Sequence, residues 1–268
     1  MYVMLIAVAT VWGAATGLLV PRAAYRFSVE PEERWRGTCP GGHPFTGPAG
    51  GWLGRARCGA CGVPGAGGAA AGGSPGSAVG PAPAKGPVYG RPAVLVPAVS
   101  ALSCALLAAA TGFRPELAVW LPLVPFAVLL SVVDRRVHRL PDHLTLPLAV
   151  VVPLLLGGAA LLPGAGGAWT TALLGGLALG GAYFVLFLIN PNGLGFGDVK
   201  LAVPLGVALG WYGWDVLFAG AFAGFLFGTV YGLGLMVSRR GGRKTAIPFG
   251  PFMIAGGMAG MLLGAVTS

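Results

Sequence analysis

Apolar residues in this chain come in long unbroken stretches, without the 3.6- or 2-residue alternation of half-buried helices and strands. Runs near residues 2–20, 92–111, 115–133, 143–162, 168–190, 199–213, 214–237 and 247–266 reach or approach the roughly 20 residues a helix needs to cross the hydrocarbon of a bilayer. The pattern predicts an all-α, polytopic membrane protein with about eight transmembrane helices, the sixth being short. Residues 1–20 form the first helix and 92–268 a seven-helix membrane domain, with a cytoplasmic loop over 21–91 between them. The first run meets PRAAYR without a basic region before it or a small-residue cleavage site after it, so it is expected to stay as an anchor.

Composition agrees. The 268 residues are 55% hydrophobic and 9% charged, against roughly 25% charged in a soluble domain. Mean hydropathy is +0.78. The 48 glycines lie mostly inside apolar runs, where they allow close helix contact.

The 17 basic residues set the orientation. They cluster in the first loop, after the third run (Arg135, Arg136, Arg139), after the fifth (Lys200) and after the seventh (Arg239, Arg240, Arg243, Lys244), while Arg114 falls on the other side. The positive-inside rule then makes odd-numbered helices end in the cytoplasm and both termini face outward. Basic residues scattered over four loops do not make a nucleic-acid-binding face.

The loop has two parts. Residues 30–62 contain Trp35, Trp52 and three cysteines, whereas 63–88 is a flexible Gly/Pro/Ala-rich tether without the large apolar residues of a core. CPGGH and CGAC place Cys39, His43, Cys58 and Cys61 as two ligand pairs, the spacing of a tetrahedral zinc site in a compartment where cysteines stay reduced.

Carboxylates are scarce, eight in all. Glu116 and Asp215 fall at outer helix ends, where a solvated group is expected. Asp134, Asp142 and Asp198 all fall at cytoplasmic helix ends. Asp142, in LPDHLTLP, is expected to cap the fourth helix. Asp134 and Asp198 adjoin apolar helix, where an ionisable group is costly and usually functional. Two facing carboxylates can share one proton, so that the ionised one activates water while the protonated one polarises a carbonyl. The glycines of GLGFGD, Gly195 and Gly197 among them, would let the backbone bend sharply and approach a substrate strand; the alternative is a glycine-rich turn whose Asp198 caps the sixth helix.

Three ordered stretches then point to a family. VVDRRVHRLPDHLTLPL (132–148), GLGFGDVKLA (193–202) and IPFGPFMIAGG (247–257) resemble signatures of the type IV prepilin peptidases, and GAATGLLVPRAAYR (13–26) more loosely resembles the end of their first helix. The resemblance implies an aspartic endopeptidase with Asp134 and Asp198 as its catalytic pair and no catalytic metal. Asp142 matches the LPD aspartate and Lys200 the lysine after GxGD, while Lys244 falls in the last cytoplasmic loop. The implied substrates are prepilins or pseudopilins, cut after a short basic leader at the cytoplasmic face of the bacterial inner membrane. Many members also N-methylate the new terminus with S-adenosylmethionine, for which no separate glycine-rich nucleotide loop is visible. Related enzymes often carry CxxC twice in the first loop. Here Gly42 takes the fourth position of the first pair, which leaves His43 to complete a Cys3His set.

Two other readings compete. A presenilin-like intramembrane protease would carry its first aspartate inside a helix after a tyrosine, whereas Asp134 follows Val133 at a predicted helix end. An ion-coupled transporter would line a route across the bilayer with charge, yet the three aspartates share one face.

Overall fold

The computed structural model describes residues 1–30, 33–54, 58, 60–62, 94–191, 193–238 and 247–268. Lys244 and the tether at 63–88 lie outside them.

Among the described residues the regular structure is helical, apart from one isolated bridge between Thr38 and Pro44. In chain order the helices are α1 (Tyr2–Gly17), α2 (Val20–Phe27), the single turn α3 (Pro48–Gly51), α4 (Leu95–Thr111), α5 (Leu117–Val137), α6 (Asp142–Ala160), α7 (Trp169–Ile189), α8 (Phe196–Gly210), α9 (Trp214–Val237) and α10 (Gly250–Thr267). Six stretches are long and apolar enough to cross a membrane: Tyr2–Phe27, Leu117–Val137, Asp142–Ala160, Trp169–Ile189, Trp214–Val237 and Gly250–Thr267. The chain is a multi-pass membrane protein. The apolar helices α4 and α8, with 17 and 15 residues, fall below that length.

Helix α8 is the core of the bundle. Ten of its residues are buried, among them Leu201, Pro204, Gly206 and Leu209. It lies against α6, α7, α9 and α10, and its shortness follows from its place: a helix sheathed by protein need not match the bilayer. Glycine allows the close approach. A methyl at Gly175 of α7 would sit 2.6 Å from the Gly206 carbonyl oxygen, and one at Gly206 would strike the Gly175 carbonyl in return. Gly256 of α10 meets Gly220 and Gly224 of α9 backbone to backbone in the same way. Without a hydrophobic drive between helices in lipid, such van der Waals contact is what holds the bundle.

Chain reversals place the ends of the helices at two faces. At one, Trp211 accepts a bond from the Ala168 amide at 2.9 Å, and Arg114 Nη1 donates to Ala265 O at 3.1 Å. Glu116 belongs to this face but is fully buried, which corrects the expectation of a solvated group: both its oxygens accept from the Gly166 amide, at 3.2 and 3.3 Å. Asp215, in the first turn of α9, is exposed as expected.

At the opposite face the chain turns from α5 into α6 through His138, a non-glycine residue in the left-handed region (φ 50°, ψ 39°) whose amide bonds back to Asp134 O at 2.8 Å. That conformation costs about 1–2 kcal/mol for a side chain with a Cβ. Leu140, two residues on, is buried, and Pro141 rather than Asp142 holds the N-cap position of α6. Asp142 is the first helical residue and makes no capping bond, because its carboxylate is engaged elsewhere.

Replacing Gly206 by leucine should destabilise the bundle by about 1–3 kcal/mol, since the added atoms meet backbone that cannot yield. Unfolding of the purified protein in mixed micelles would show the loss, and Gly158→Leu, where nothing lies within 4 Å, is the control.

Candidate active site

Asp134 lies in the last turn of α5, where its carboxylate turns inward while Arg135 and Arg136 follow it. The helix therefore runs one turn beyond the predicted end, and Asp134 sits inside it rather than after it, which removes one of the two contrasts drawn with presenilin-like enzymes. Asp198 occupies the third helical position of α8 after the N-cap residue Gly195, its amide bonded to Gly195 O at 3.0 Å. The two side chains are 5% and 8% exposed, and the carboxylate of Asp134 is near enough to act electrostatically on Asp198.

A third element completes the arrangement. The Gly250 amide, at the first position of α10, donates to Asp134 Oδ2 at 3.0 Å. A methyl at Gly250 would stand 2.9 Å from that oxygen, so only glycine lets the helix terminus come this near. The N-termini of α8 and α10 both lie at the pair, each bringing partial positive charge and free amides where carboxylates are otherwise stripped of water. The backbone thus offsets part of the cost of burying a charge.

The GLGFGD glycines work differently from the sharp bend expected of them. Neither Gly195 nor Gly197 adopts positive φ. Gly197 gives room instead: a Cβ there would lie 3.1 Å from Leu140 Cβ, so the turn after α5 packs directly on the start of α8. Gly195 contributes an extended backbone that starts the helix (φ −72°, ψ 143°).

Lys200 and Asp142 meet. Lys200 Nζ donates to Asp142 Oδ1 at 2.7 Å and lies 4.8 Å from the centre of the Phe196 ring. Asp142 is thus in an ion pair at the head of α6, in place of the expected cap, and Lys200 is its partner.

Sequence reasoning missed two residues here. Gly250 had a signal, since it stands in IPFGP, but the need for glycine shows only once Asp134 is beside it. Tyr183 had none. It is buried on α7, stacked on Phe225 at 5.6 Å, and senses the charge of Asp198.

The first loop folds against the same face. Arg22 of α2 donates to Thr46 O and Leu53 O at 3.1 and 3.2 Å, and Arg26 donates to Gly50 O at 3.0 Å while stacking on Trp52 at 3.8 Å. These two arginines are therefore structural donors to loop carbonyls as well as topology signals. Trp35 sits edge-on to His143 at 5.0 Å, tying the module to the residue after Asp142.

Cys39, His43, Cys58 and Cys61 come together as expected, with all four ligand atoms within 4.8 Å of one another. Cys39 Sγ lies 3.5 Å from Cys61 Sγ and 3.6 Å from His43 Nδ1, which is 3.2 Å from Cys61 Sγ. The CPGGH turn closes by a Cys39 N to His43 O bond of 2.9 Å, and the Gly41 amide donates to Cys39 Sγ at 3.3 Å. Burial pushes the Cys39 thiol up, but hydrogen bonds from His43, Cys61 and Gly41 outweigh it and bring it to about 6. Desolvation and the neighbouring Cys39 and Cys58 push Cys61 up to about 12. The cluster can hold a metal ion.

Residues 121–233 match the profile of the type IV leader peptidase family, a segment that contains Asp134, Asp142 and Asp198. That segment, somewhat under half of the chain, is similar to the family. Curated relatives agree. Two named prepilin leader peptidase/N-methyltransferase are 36% identical over 140 residues in Aeromonas salmonicida (strain A449), covering 51% of this chain and 46% of the relative, and 32% over 175 residues in Pseudomonas putida, covering 61% and 57%. A third of the same name, from Pseudomonas aeruginosa, is 30% identical over 171 residues, covering 63% and 58%. The chain thus spans about half the length of the curated relatives it matches. No solved structure matches it.

Gly41→Ala should weaken metal retention by about tenfold or more, because a Cβ at that position would lie 2.8 Å from Cys61 Sγ and displace a ligand. Metal content after dialysis against a competing chelator checks this, with Gly37→Ala, where nothing lies within 4 Å, as the control.

Proposed function

We propose that this chain is a type IV leader peptidase, an aspartic endopeptidase that removes the short basic leader of prepilins or pseudopilins at the cytoplasmic face of the bacterial inner membrane. The observation that carries the reading is the buried pair itself. Asp134 and Asp198 come from separate helices, with Asp198 in the field of Asp134, and are backed by two helix N-termini at the polar end of an apolar bundle.

Two buried carboxylates held this way favour a single shared proton. The ionised member takes a proton from a water molecule held between them, and the resulting hydroxide attacks the scissile carbonyl carbon. The other member gives its proton to the carbonyl oxygen, forming a gem-diol. Collapse breaks the C–N bond, with a proton passing to the departing amine. No covalent enzyme intermediate forms, and the protein's contribution is position and charge. A groove of about 490 Å³ between α4, α5 and α10, lined by Val99, Ser103, Val128, Ser131, Arg135 and Met258, runs along α5 and suits an apolar helix entering from the bilayer.

Zinc is the ion we assign to the cysteine and histidine cluster. Bond lengths of roughly 2.3 Å to sulfur and 2.0 Å to nitrogen imply tetrahedral edges of about 3.5 Å from sulfur to nitrogen and about 3.8 Å between sulfurs, and the three separations, from 3.2 to 3.6 Å, lie within a few tenths of an ångström of them. Held by Cys39, His43, Cys58 and Cys61, it would give a segment with little core of its own the energy to fold. The second half of the relatives' name, N-methyltransferase, is said of them; no residue of this chain is assigned to a methyl donor.

Asp134→Asn and Asp198→Asn should each reduce cleavage of a co-expressed prepilin by about a thousandfold or more while leaving the protein in the membrane, whereas Asp142→Asn keeps substantial activity. N-terminal sequencing of the product decides it, and a dead Asp142→Asn beside an active Asp134→Asn would overturn the assignment. The purified protein should carry about one zinc per chain, lost in the Cys58→Ser, Cys61→Ser double variant. His43→Ala with undiminished zinc would remove that residue from the ligand set.

A further inference from the structure

The Asp142–Lys200 contact is the one ion pair among the described residues. Its two members sit on segments that also carry the two candidate catalytic carboxylates. Eight positions separate Asp134 from Asp142, spanned by the left-handed turn at His138 and by Leu140. Two positions separate Asp198 from Lys200 on α8. The ion pair therefore closes a ring: down the chain from Asp134 to Asp142, across to Lys200, back along α8 to Asp198, and across to Asp134 again.

Lys200 does not serve the pair directly. Residues two apart on a helix point to different sides, so an ammonium aimed at Asp142 is aimed away from Asp198. Its direction is fixed further by the Phe196 ring, over which it lies at 4.8 Å. A lysine near a helix N-terminus gains nothing from the macrodipole, while Asp142 in the first turn of α6 is favoured there. The lysine's position is thus accounted for by its partner on another helix rather than by its own.

We propose that Asp142 and Lys200 form a positioning clasp that sets the first turn of α8, and with it Asp198, against Asp134. Leu140 packed on Gly197 is the apolar half of the same clasp and the ion pair its polar half. The pair is partly open to water, Lys200 being 19% and Asp142 54% exposed, so its value lies in geometry more than in net stability. Displacing a catalytic group by about 1 Å can cost on the order of a hundredfold in rate, so a modest loosening is enough to be seen.

The inference rests on the peptidase reading, and its test is built to fail separately from it. Lys200→Ala and Asp142→Ala should each lower kcat for prepilin cleavage by about tenfold, with KM within about twofold and the pH profile unmoved. Asp142→Asn, whose amide oxygen still accepts from Lys200, should lose less than Asp142→Ala. The exchanged variant Asp142→Lys, Lys200→Asp should recover most of the loss, where Lys200→Asp alone is the most impaired. Amide hydrogen exchange over residues 193–202 is read in parallel: faster in each single variant, restored in the exchanged one. An exchanged variant no better than its parents, or a loss expressed in KM alone, would overturn the clasp, the second by placing Lys200 or Asp142 on the substrate. Unchanged hydrogen exchange in Lys200→Ala would overturn it even in a protein that cuts no prepilin, whereas absence of cleavage by the wild-type chain with exchange behaving as expected would sink only the proposed activity.

Discussion

Everything at the polar end of this bundle answers to one constraint: two carboxylates are buried at the same end with little access to water. Charge in that position is expensive, and like charges side by side are more so. The bundle meets the cost with backbone rather than with cations. Gly250 lends its amide to Asp134, and the head of α8 lies under Asp198, so the compensation comes from helix ends whose amides have no intrahelical partner to lose. Arginines close by in sequence stay outside, with Arg135 lining the groove on the far side of α5.

Bringing three helix ends to one point requires close packing behind them, and that explains where glycine is concentrated. Gly175 against Gly206, and Gly256 against Gly220 and Gly224, draw α7, α8, α9 and α10 together through contacts that any side chain would prop open. Glycine serves at the site for the same reason, at Gly197 under Leu140 and Gly250 under Asp134. The two sets belong to one design, in which the depth of the site is set by how nearly the helices touch.

Much of this was legible in the chain beforehand, because long apolar runs and scarce carboxylates are strong signals. The helices and the cysteine and histidine cluster follow from spacing and cost, while the choice of Asp134 and Asp198 as the pair rests on the family signatures. What could not be read is what depends on partners distant in sequence. Glu116 looked like a solvated helix end and is buried because Gly166, fifty residues on, brings an amide to it. Asp142 looked like a cap because capping is local, while its partner Lys200 is 58 residues away. The GLGFGD glycines suggested a bend, since conformation is what one chain shows; their use is proximity, which needs two. Helix α2 escaped notice because eight residues with two arginines carry no apolar run, and their role appears only with the loop carbonyls that Arg22 and Arg26 reach.

The left-handed residue at His138 carries a further consequence, for how such a chain can change over time. Helix α6 starts where it does because the chain reverses at one position and resumes helix four residues later. One residue gained or lost in that interval would turn the new helix by about 100° about its axis, as 3.6 residues per turn requires. Asp142 would swing from Lys200, and Leu140 from the bare backbone of Gly197. The spacing between the two aspartates of this segment is therefore closed to insertion and deletion in a way that a surface loop is not. Drift in length has to be taken up elsewhere in the chain.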